Sequence, residues 1–331
     1  MKTPGWVWKT VGVLAAAWGL GTAPAAAQNG GWRPDHPVRI VVPFPPGGTA
    51  DFMARALAAR LSGELGQQFI VDNKPGAAAA LAATTVAHAS PDGYTLLFAN
   101  SAALVNNRYM FKNLGYDPDA FTPVALLGTA PLVLLANVDT PFKTVPDLMK
   151  YAHAHQDSMS FASFGTGTLS HLTMELLDSR EGVKLEHIPY KGEAEAMTAL
   201  MGGQIKVFVS TLTSSQASIR AGKVRALGVT SQARTALLPG VPSIAEQGYA
   251  GFDLVTWFGI DAPPGTPAPV VDALSRAVAK LNALPDYRQE LARIGVEAPA
   301  GDSSPAALVA KMKSDMPVMQ QLIKGAGIQP Q

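Results

Sequence analysis

The chain has 331 residues, 47% apolar and 15% charged, with a formal net charge of +1. This composition excludes a disordered polymer, and the near-neutral charge gives no bulk field for nucleic acid or an anionic membrane. Cysteine is absent, which excludes a thiol nucleophile, a cysteine-ligated metal or cluster, disulfides and a cysteine-linked lipid anchor.

The chain opens on Lys2 and Lys9, then an apolar run, 11-VGVLAAAWGLG-21, and the small residues 22-TAPAAA-27. This reads as a signal peptide, residues 1–27, cleaved after Ala27. The run is too short to cross a bilayer core of about 30 Å. With no later span of ~18 apolar residues, the mature chain is expected to be soluble, in a bacterial periplasm. Its length suits two domains.

The first predicted strand, 38-VRIVVPF-44, runs into 43-PFPPGGTAD-51 and then a helix over 49–65. Met53, Leu57, Leu61 and Leu65 recur along that helix at fourfold spacing. Gly47 and Gly48 leave the backbone bare, and the first N–H groups of the helix have no internal acceptor. Such a tip can hold an anion without arginine. It can equally be a capped turn, with Thr49 as N-cap and Asp51 in the first turn; both readings can hold at once.

Strands follow at 69-FIVDN-73, 94-YTLLFA-99, 123-PVALLG-128 and 131-PLVLLAN-137. A helix over 144–155 takes Thr144 as its N-cap. His153 and His155, two apart on that helix, point to different faces and do not suggest a metal site. The next strand, 159-MSFASF-164, enters a second glycine-lined tip, Gly165-Thr166-Gly167-Thr168, and a helix over 168–180. The tip superficially offers G-x-G-x-x-S, but the dinucleotide pattern is imperfect.

Ser163 and His171 lie close in sequence, which raises nucleophilic hydrolysis. The nucleophile elbow is incomplete, because Phe161 stands where its first glycine belongs. Further strands are 185-LEHIPY-190, 205-IKVFVST-211 and 224-VRALGVT-230, with helices at 193–203 and 214–222. The 189-PYKG-192 and 210-STLTSSQ-216 runs end strands, where ligands of open α/β sheets bind. A third run, 256-TWFG-259, offers two aromatics, with a core tryptophan as the plainer reading. After residue 230 a Pro/Gly-rich segment leads to long helices at 268–284, 286–295 and 305–327. The alternation predicts parallel sheets with helices on both faces.

Taken in order, 40-IVVPFPPGGTAD-51, 72-DNKPGA-77, 91-PDGYTLLF-98, 160-SFASFGTGTLSHL-172, 188-IPYKG-192, 219-IRAGKVRALGVTS-231 and 257-WFGIDAPPGTP-267 resemble the tripartite tricarboxylate transporter substrate-binding family. Many of its members are Bordetella uptake gene (Bug) receptors. The resemblance runs from about Asp35 to the C-terminus.

It implies a periplasmic binding protein type II-like fold: two doubly wound α/β lobes with a ligand cleft between them. Residues 33–130 plus 253–331 would form the first lobe and 131–252 the second. It implies a small carboxylate bound by the two tips and delivered to the membrane permease subunits of a tripartite tricarboxylate-type transporter. No catalysis, cofactor, metal or nucleic acid is implied, and the chain is expected to be a monomer.

Carried over, the first tip contributes Phe44, Pro46, Gly47, Gly48, Thr49 and Asp51. The second contributes Ser163, Gly165, Thr166, Gly167, Thr168 and His171, with Tyr190 and Lys191 nearby. The turn 100-NSAALVNN-107, which opens with Asn100 and Ser101, departs from the polar turn of many members. If it lines the far end of the pocket, the second group of the ligand is less polar than a carboxylate. Ala78, Ala79 and Ala80 replace glycines frequent in the family, an expected change at a helix start only. Two alternatives stay open: an exported serine hydrolase using Ser163 and His171, and a ligand sensor for a membrane kinase.

Overall fold

The computed structural model describes residues 1, 2, 5, 31–155, 158–299 and 301–330. The expected signal peptide, residues 1–27, and its expected cleavage point lie outside these, apart from residues 1, 2 and 5. Met1–Gly30 and Gly31–Gln331 separate as two units, and the fold below is that of the second.

The first half of the sheet starts with β1 (Val38–Val42), which lies between β2 (Phe69–Asn73) and β3 (Thr95–Asn100), parallel to both. Val38, Ile40 and Val42 face one core cluster, with Met53, Leu57 and Leu61 of α1 (Thr49–Leu65), while Val41 faces another. A strand buried on both faces must be apolar at nearly every position, and β1 is. Helix α1 ends where Gly66 turns left-handed and donates its N–H to Ser62 O, as a glycine C-cap does. Helix α2 (Ala80–Ala87) follows β2.

After β3 the chain forms a π-helical turn, Ala102–Asn106, and a short helix α3 (Asn107–Met110). It then enters β4 (Thr122–Asn137). The sequence predicts two strands here, 123–128 and 131–137, with a break at Thr129-Ala130 in what is one 16-residue strand. The structure runs straight through, because Gly128 lies against a neighbouring backbone. A Cβ there would come 2.7 Å from Glu297 O, and Thr129 exchanges backbone bonds with Glu297. A glycine inside a strand marks such a close approach.

β4 changes partners partway. Thr122 to Pro131 pair antiparallel with β9 (Val255–Ala262), which also pairs antiparallel with β3. From Leu132 onward β4 pairs antiparallel with β7 (Val207–Thr211), and from Val133 with β8 (Val224–Val229). Pro131, with no N–H to donate, stands at the changeover, where the missing donor matters least. Beyond β7 lie β5 (Ser160–Ser163) and β6 (Glu186–Pro189), parallel to one another. The path is β2-β1-β3-β9-β4-β7-β5-β6, with β8 beside β4.

Two expectations are corrected here. The sheet is mixed, not all parallel, and 255–262, which the sequence reading left unassigned, is the strand that returns the chain to the first half. Its alternation sends Trp257 into one core cluster and Phe258 into another.

Helices α4 (Val145–Ala154), α5 (Leu169–Glu181), α6 (Glu193–Met201) and α7 (Leu212–Arg220) connect the strands of the second half. Thr144 Oγ1 accepts from Asp147 N–H as the expected cap of α4. Helices α8 (Ala268–Ala283), α9 (Pro285–Arg293) and α10 (Pro305–Gly325) close the chain. Leu274 and Leu281 of α8 join the cluster beneath α1, and Leu308 and Met312 of α10 join the one on the other face. Two α/β lobes result, the architecture expected.

Candidate functional site

The β1–α1 loop is shaped by one carboxylate. Asp51, 3% exposed, accepts Gly47 N–H at 3.1 Å and Arg55 Nε–H and Asn73 Nδ2–H at 3.0 Å each. Burial alone would raise its carboxyl, but the bonds from Arg55, Asn73 and Gly47 outweigh it and hold the group below the usual carboxylate range. Asn73 also donates to Phe44 O. Gly47 adopts φ 95°, a conformation that favours glycine. The N–H groups of the first turn of α1 are left without acceptors inside the helix.

The β5–α5 loop is held differently. Gly165 N–H donates to Ser163 Oγ, and Thr168 Oγ1 donates to Gly165 O at 2.7 Å. Gly167 N–H donates to His171 Nδ1 at 3.1 Å, and Gly167 O accepts from Asn106 Nδ2 at 2.9 Å. His171 Nε2 lies 3.1 Å from Glu175 Oε1, and it stacks on His187 with centroids 3.7 Å apart.

Among the described residues, four helix N-termini meet at one cavity of about 480 Å³. Its wall includes Gly48, Thr49 and Ala50 of α1, Thr168 and Leu169 of α5, Gly192 and Glu193 of α6, and Thr211 and Ser214 of α7. The β3 exit adds Asn100 and Ser101. The helices α1, α5 and α6 each follow a parallel strand at its carboxyl end. Their dipoles and unpaired N–H groups place partial positive charge around one volume. The rest of the wall is largely apolar, including Leu132, Phe164, Met197, Met201 and Phe258.

Of the residues expected at the site, Phe44, Pro46, Gly47, Gly48, Thr49, Asn100, Ser101, Thr168 and Lys191 line this cavity. Asp51 lies behind the wall as the bolt of the first loop. Ser163 is fully buried, with Oγ 2.7 Å from His187 Nε2. Gly167 turns its bare face to Met110, whose Sδ a Cβ would strike. Gly165, Thr166 and His171 form the back of the second tip, outside the cavity lining. Tyr190 packs against the cluster around Phe208, and its N–H donates to Ser163 O.

The hydrolase pairing of Ser163 with His171 is not drawn together by a hydrogen bond: His187 takes that place. Burial, with His171 alongside, pushes His187 down to about 3.

Sequence reasoning named neither Glu193 nor His187. Glu193 stands three residues past Tyr190, where an acid in the first turn of a helix is an ordinary dipole partner. Its Oε2 accepts from Thr211 Oγ1 at 2.6 Å, and burial pushes its carboxyl up. The flagged runs 210–216 and 256–259 do reach the wall, through Thr211 and Ser214 and through Thr256 and Phe258.

Within the wall, Phe44 and Phe164 meet edge to face with ring centroids 6.2 Å apart. A methyl group on Gly192 would come 3.3 Å from Pro45 Cγ.

Residues 53–328 match the model of the tripartite tricarboxylate transporter family receptor. The chain is 40% identical over 314 residues to the UPF0065 protein in the tcbD-tcbE intergenic region of a Pseudomonas species, covering 94% of this chain and 93% of that one. Among solved structures, the periplasmic binding protein BugD is 38% identical with a TM-score of 0.84, covering 90% of this chain and 100% of BugD. An R. palustris protein solved with adipate is 34% identical with a TM-score of 0.86, covering 90% of this chain and 99% of the other. The chain belongs to the tripartite tricarboxylate transporter receptor family.

Proposed function

We propose that the protein is a periplasmic receptor that captures a small carboxylate in the cleft between its lobes and delivers it to the permease of a tripartite tricarboxylate-type transporter. The observation that carries this reading is the meeting of four helix N-termini at one cavity among the described residues. An oxyanion is the group that such a set of donors fits. A relative of the same fold, solved with adipate, supports the ligand class.

The lobes would comprise residues 33–130 with 253–331, and 131–252. The crossings would fall at Pro131, where β4 changes partners, and in the return to β9. The carboxylate would sit at the N-termini of α1 and α5, against Gly48, Thr49 and Thr168. Hinge closure about the crossings would remove it from water. Each N–H bond to the charged oxygen would then contribute about 1.5–3 kcal/mol. Asp51, Ser163 and His171 would act behind the surface, holding the two tips in shape. The protein would work as a monomer.

Calorimetry on mature protein, unfolded and refolded to strip carried ligand, tests the reading against mono-, di- and tricarboxylates. Saturable binding of at least one class at micromolar affinity is expected. Failure of every carboxylate to bind refolded protein with a native circular dichroism spectrum overturns it.

A further inference from the structure

The wall of this cavity holds a charge that a receptor for bare anions would avoid. Glu193, in the first turn of α6, lines it directly beside the first glycine tip: a Cβ built on Gly48 would come 3.7 Å from Glu193 Oε1. One oxygen accepts from Thr211 Oγ1. No arginine, lysine or histidine forms an ion pair with Glu193 among the described residues. Lys191, two residues earlier, lines the same cavity at its exposed edge. Beyond Glu193 the wall of α6 carries Glu195 and Thr198 beside the apolar Met197 and Met201, and the strands add Leu132 and Phe258.

From this wall, resting on the receptor reading above, we infer that Glu193 is the specificity-determining residue of the cleft. It selects a monocarboxylate with an apolar body and a hydrogen-bond donor, hydroxyl or ammonium, and rejects a second carboxylate.

The physical grounds are these. A carboxylate removed from water needs donors to offset its lost hydration. Thr211 and Ser214 supply donors, burial still outweighs them and pushes Glu193 up, and no cation among the described residues balances its charge in the free protein. A hydroxyl or ammonium on the ligand adds a donor to the oxygen that faces Gly48 when the cleft closes. A second carboxylate brings the opposite result, two like charges in a closing, largely apolar space. A ligand with no donor would shut the half-buried Glu193 away from water without replacing that water, and a site built around a polar group discriminates against such analogues.

The test is competition calorimetry with hexanoate, its hydroxy and amino derivatives substituted at either end, and adipate. Wild-type protein is compared with Glu193→Gln, which keeps the acceptor for Thr211 and removes the charge. In the wild type the best hydroxy or amino derivative should bind about tenfold or more tighter than both hexanoate and adipate. In Glu193→Gln that preference should fall to about threefold or less, with adipate gaining. The ratio is read within one preparation, so a loss of overall stability does not imitate it. Should Glu193→Gln not fold, Glu193→Ala, which removes the charge together with the side chain, gives the same reading.

Adipate binding as tightly as the donor-bearing ligands overturns the inference, as does a ratio unchanged by the substitution. Uptake of one proton on binding, measured in buffers of different ionisation enthalpy, also overturns it. That result would make Glu193 a neutral acid donating to the ligand carboxylate. If these ligands bind without preference, only this inference falls. If no carboxylate of any kind binds, the receptor reading falls and takes the inference with it.

Discussion

Thr49, the first residue of α1, donates its hydroxyl to Thr213 Oγ1 over 2.8 Å, joining residues 164 apart in sequence. Thr213 in turn donates its own hydroxyl to Ile294 O. One hydroxyl near the start of α7 thus bonds to both the α1 tip and the end of α9, beside the cavity.

This bond predicts the effect of Thr213→Val. The substitution keeps the shape and removes two hydrogen bonds, each contributing about 0.5–1.5 kcal/mol. If these bonds belong to the closed form, ligand affinity should fall by about threefold to tenfold while the site residues stay in place. The ligand-free radius of gyration in small-angle scattering should rise toward an open form. Unchanged affinity and scattering would show that the contact contributes nothing to closure.

The two neighbouring glycines should part ways on substitution. Gly48 has φ −96°, which any residue adopts, and a side chain there would point toward Glu193 and the cavity. Gly48→Val should therefore lower ligand affinity by about a hundredfold or more with little change in melting temperature. Gly47 has φ 95° and open space around it. Gly47→Val meets backbone strain of about 1–3 kcal/mol and should lower the melting temperature by several degrees. Thermal melts and calorimetry on the pair check both outcomes together. Equal loss of stability in the two would mean that Gly48 serves the turn rather than the cavity.

How much of this was legible in the sequence depended on range. The bounds of α1, the cap at Thr144 and the strand β1 rest on interactions within a few residues, and all three were readable. So were the two glycine tips, since each announces itself by strand, glycine and helix in succession. The 16-residue β4 was not readable as one strand, because Thr129-Ala130 looks like a connection until Glu297 is seen bonded to Thr129. Strand β9 was missed for a related reason: its antiparallel neighbours, β3 and β4, lie far off in sequence. The pairing of Ser163 with His187 follows from the register of β5 and β6, which sets Phe161 opposite His187. Nearness in sequence pointed instead to His171. Glu193 needed the folded cleft, since only there does an ordinary helix-start acid face Gly48.

Asp261 should make stability depend on pH. It is fully buried on β9, neither oxygen has a hydrogen-bond partner among the described residues, and burial pushes its carboxyl up to about 8. In the unfolded chain it titrates at its ordinary 3.8. Between these two values the folded state holds a proton that the unfolded state has released. Stability therefore falls as pH rises from about 4 to about 8, by about 1.4 kcal/mol per pH unit from this group, and the loss levels off above. Asp261→Asn removes the titration. Its advantage over the wild type in urea unfolding should grow between pH 5 and pH 8, a span chosen to lie inside that window. Parallel curves across that span would show that Asp261 is ionised, or solvated, in the folded protein.

The alanine run after β2 should be a stored cost. Ala77, Ala78 and Ala79 all have positive φ, at 44°, 48° and 76°. Ala78, at φ 48° and ψ 49°, is left-handed, where an L-residue with a Cβ is disfavoured by about 1–2 kcal/mol. The bend is held from outside: Asn107 Nδ2 donates to Ala78 O at 3.0 Å and to the Tyr116 hydroxyl at 2.9 Å. The family resemblance led us to expect that alanine here alters only a helix start, whereas the structure gives three consecutive strained residues. Ala78→Gly relieves the strain at one of them and offsets part of that gain through the freer unfolded chain. A net stabilisation of about 0.5–1 kcal/mol is expected. Asn107→Ala should act in the opposite direction and cost about 1–2 kcal/mol, because the carbonyl of the bend loses its donor. In the double variant the two effects should not add, since glycine lets the bend persist without the clamp. Chemical denaturation of the four proteins measures the coupling, and strict additivity would place the strain elsewhere.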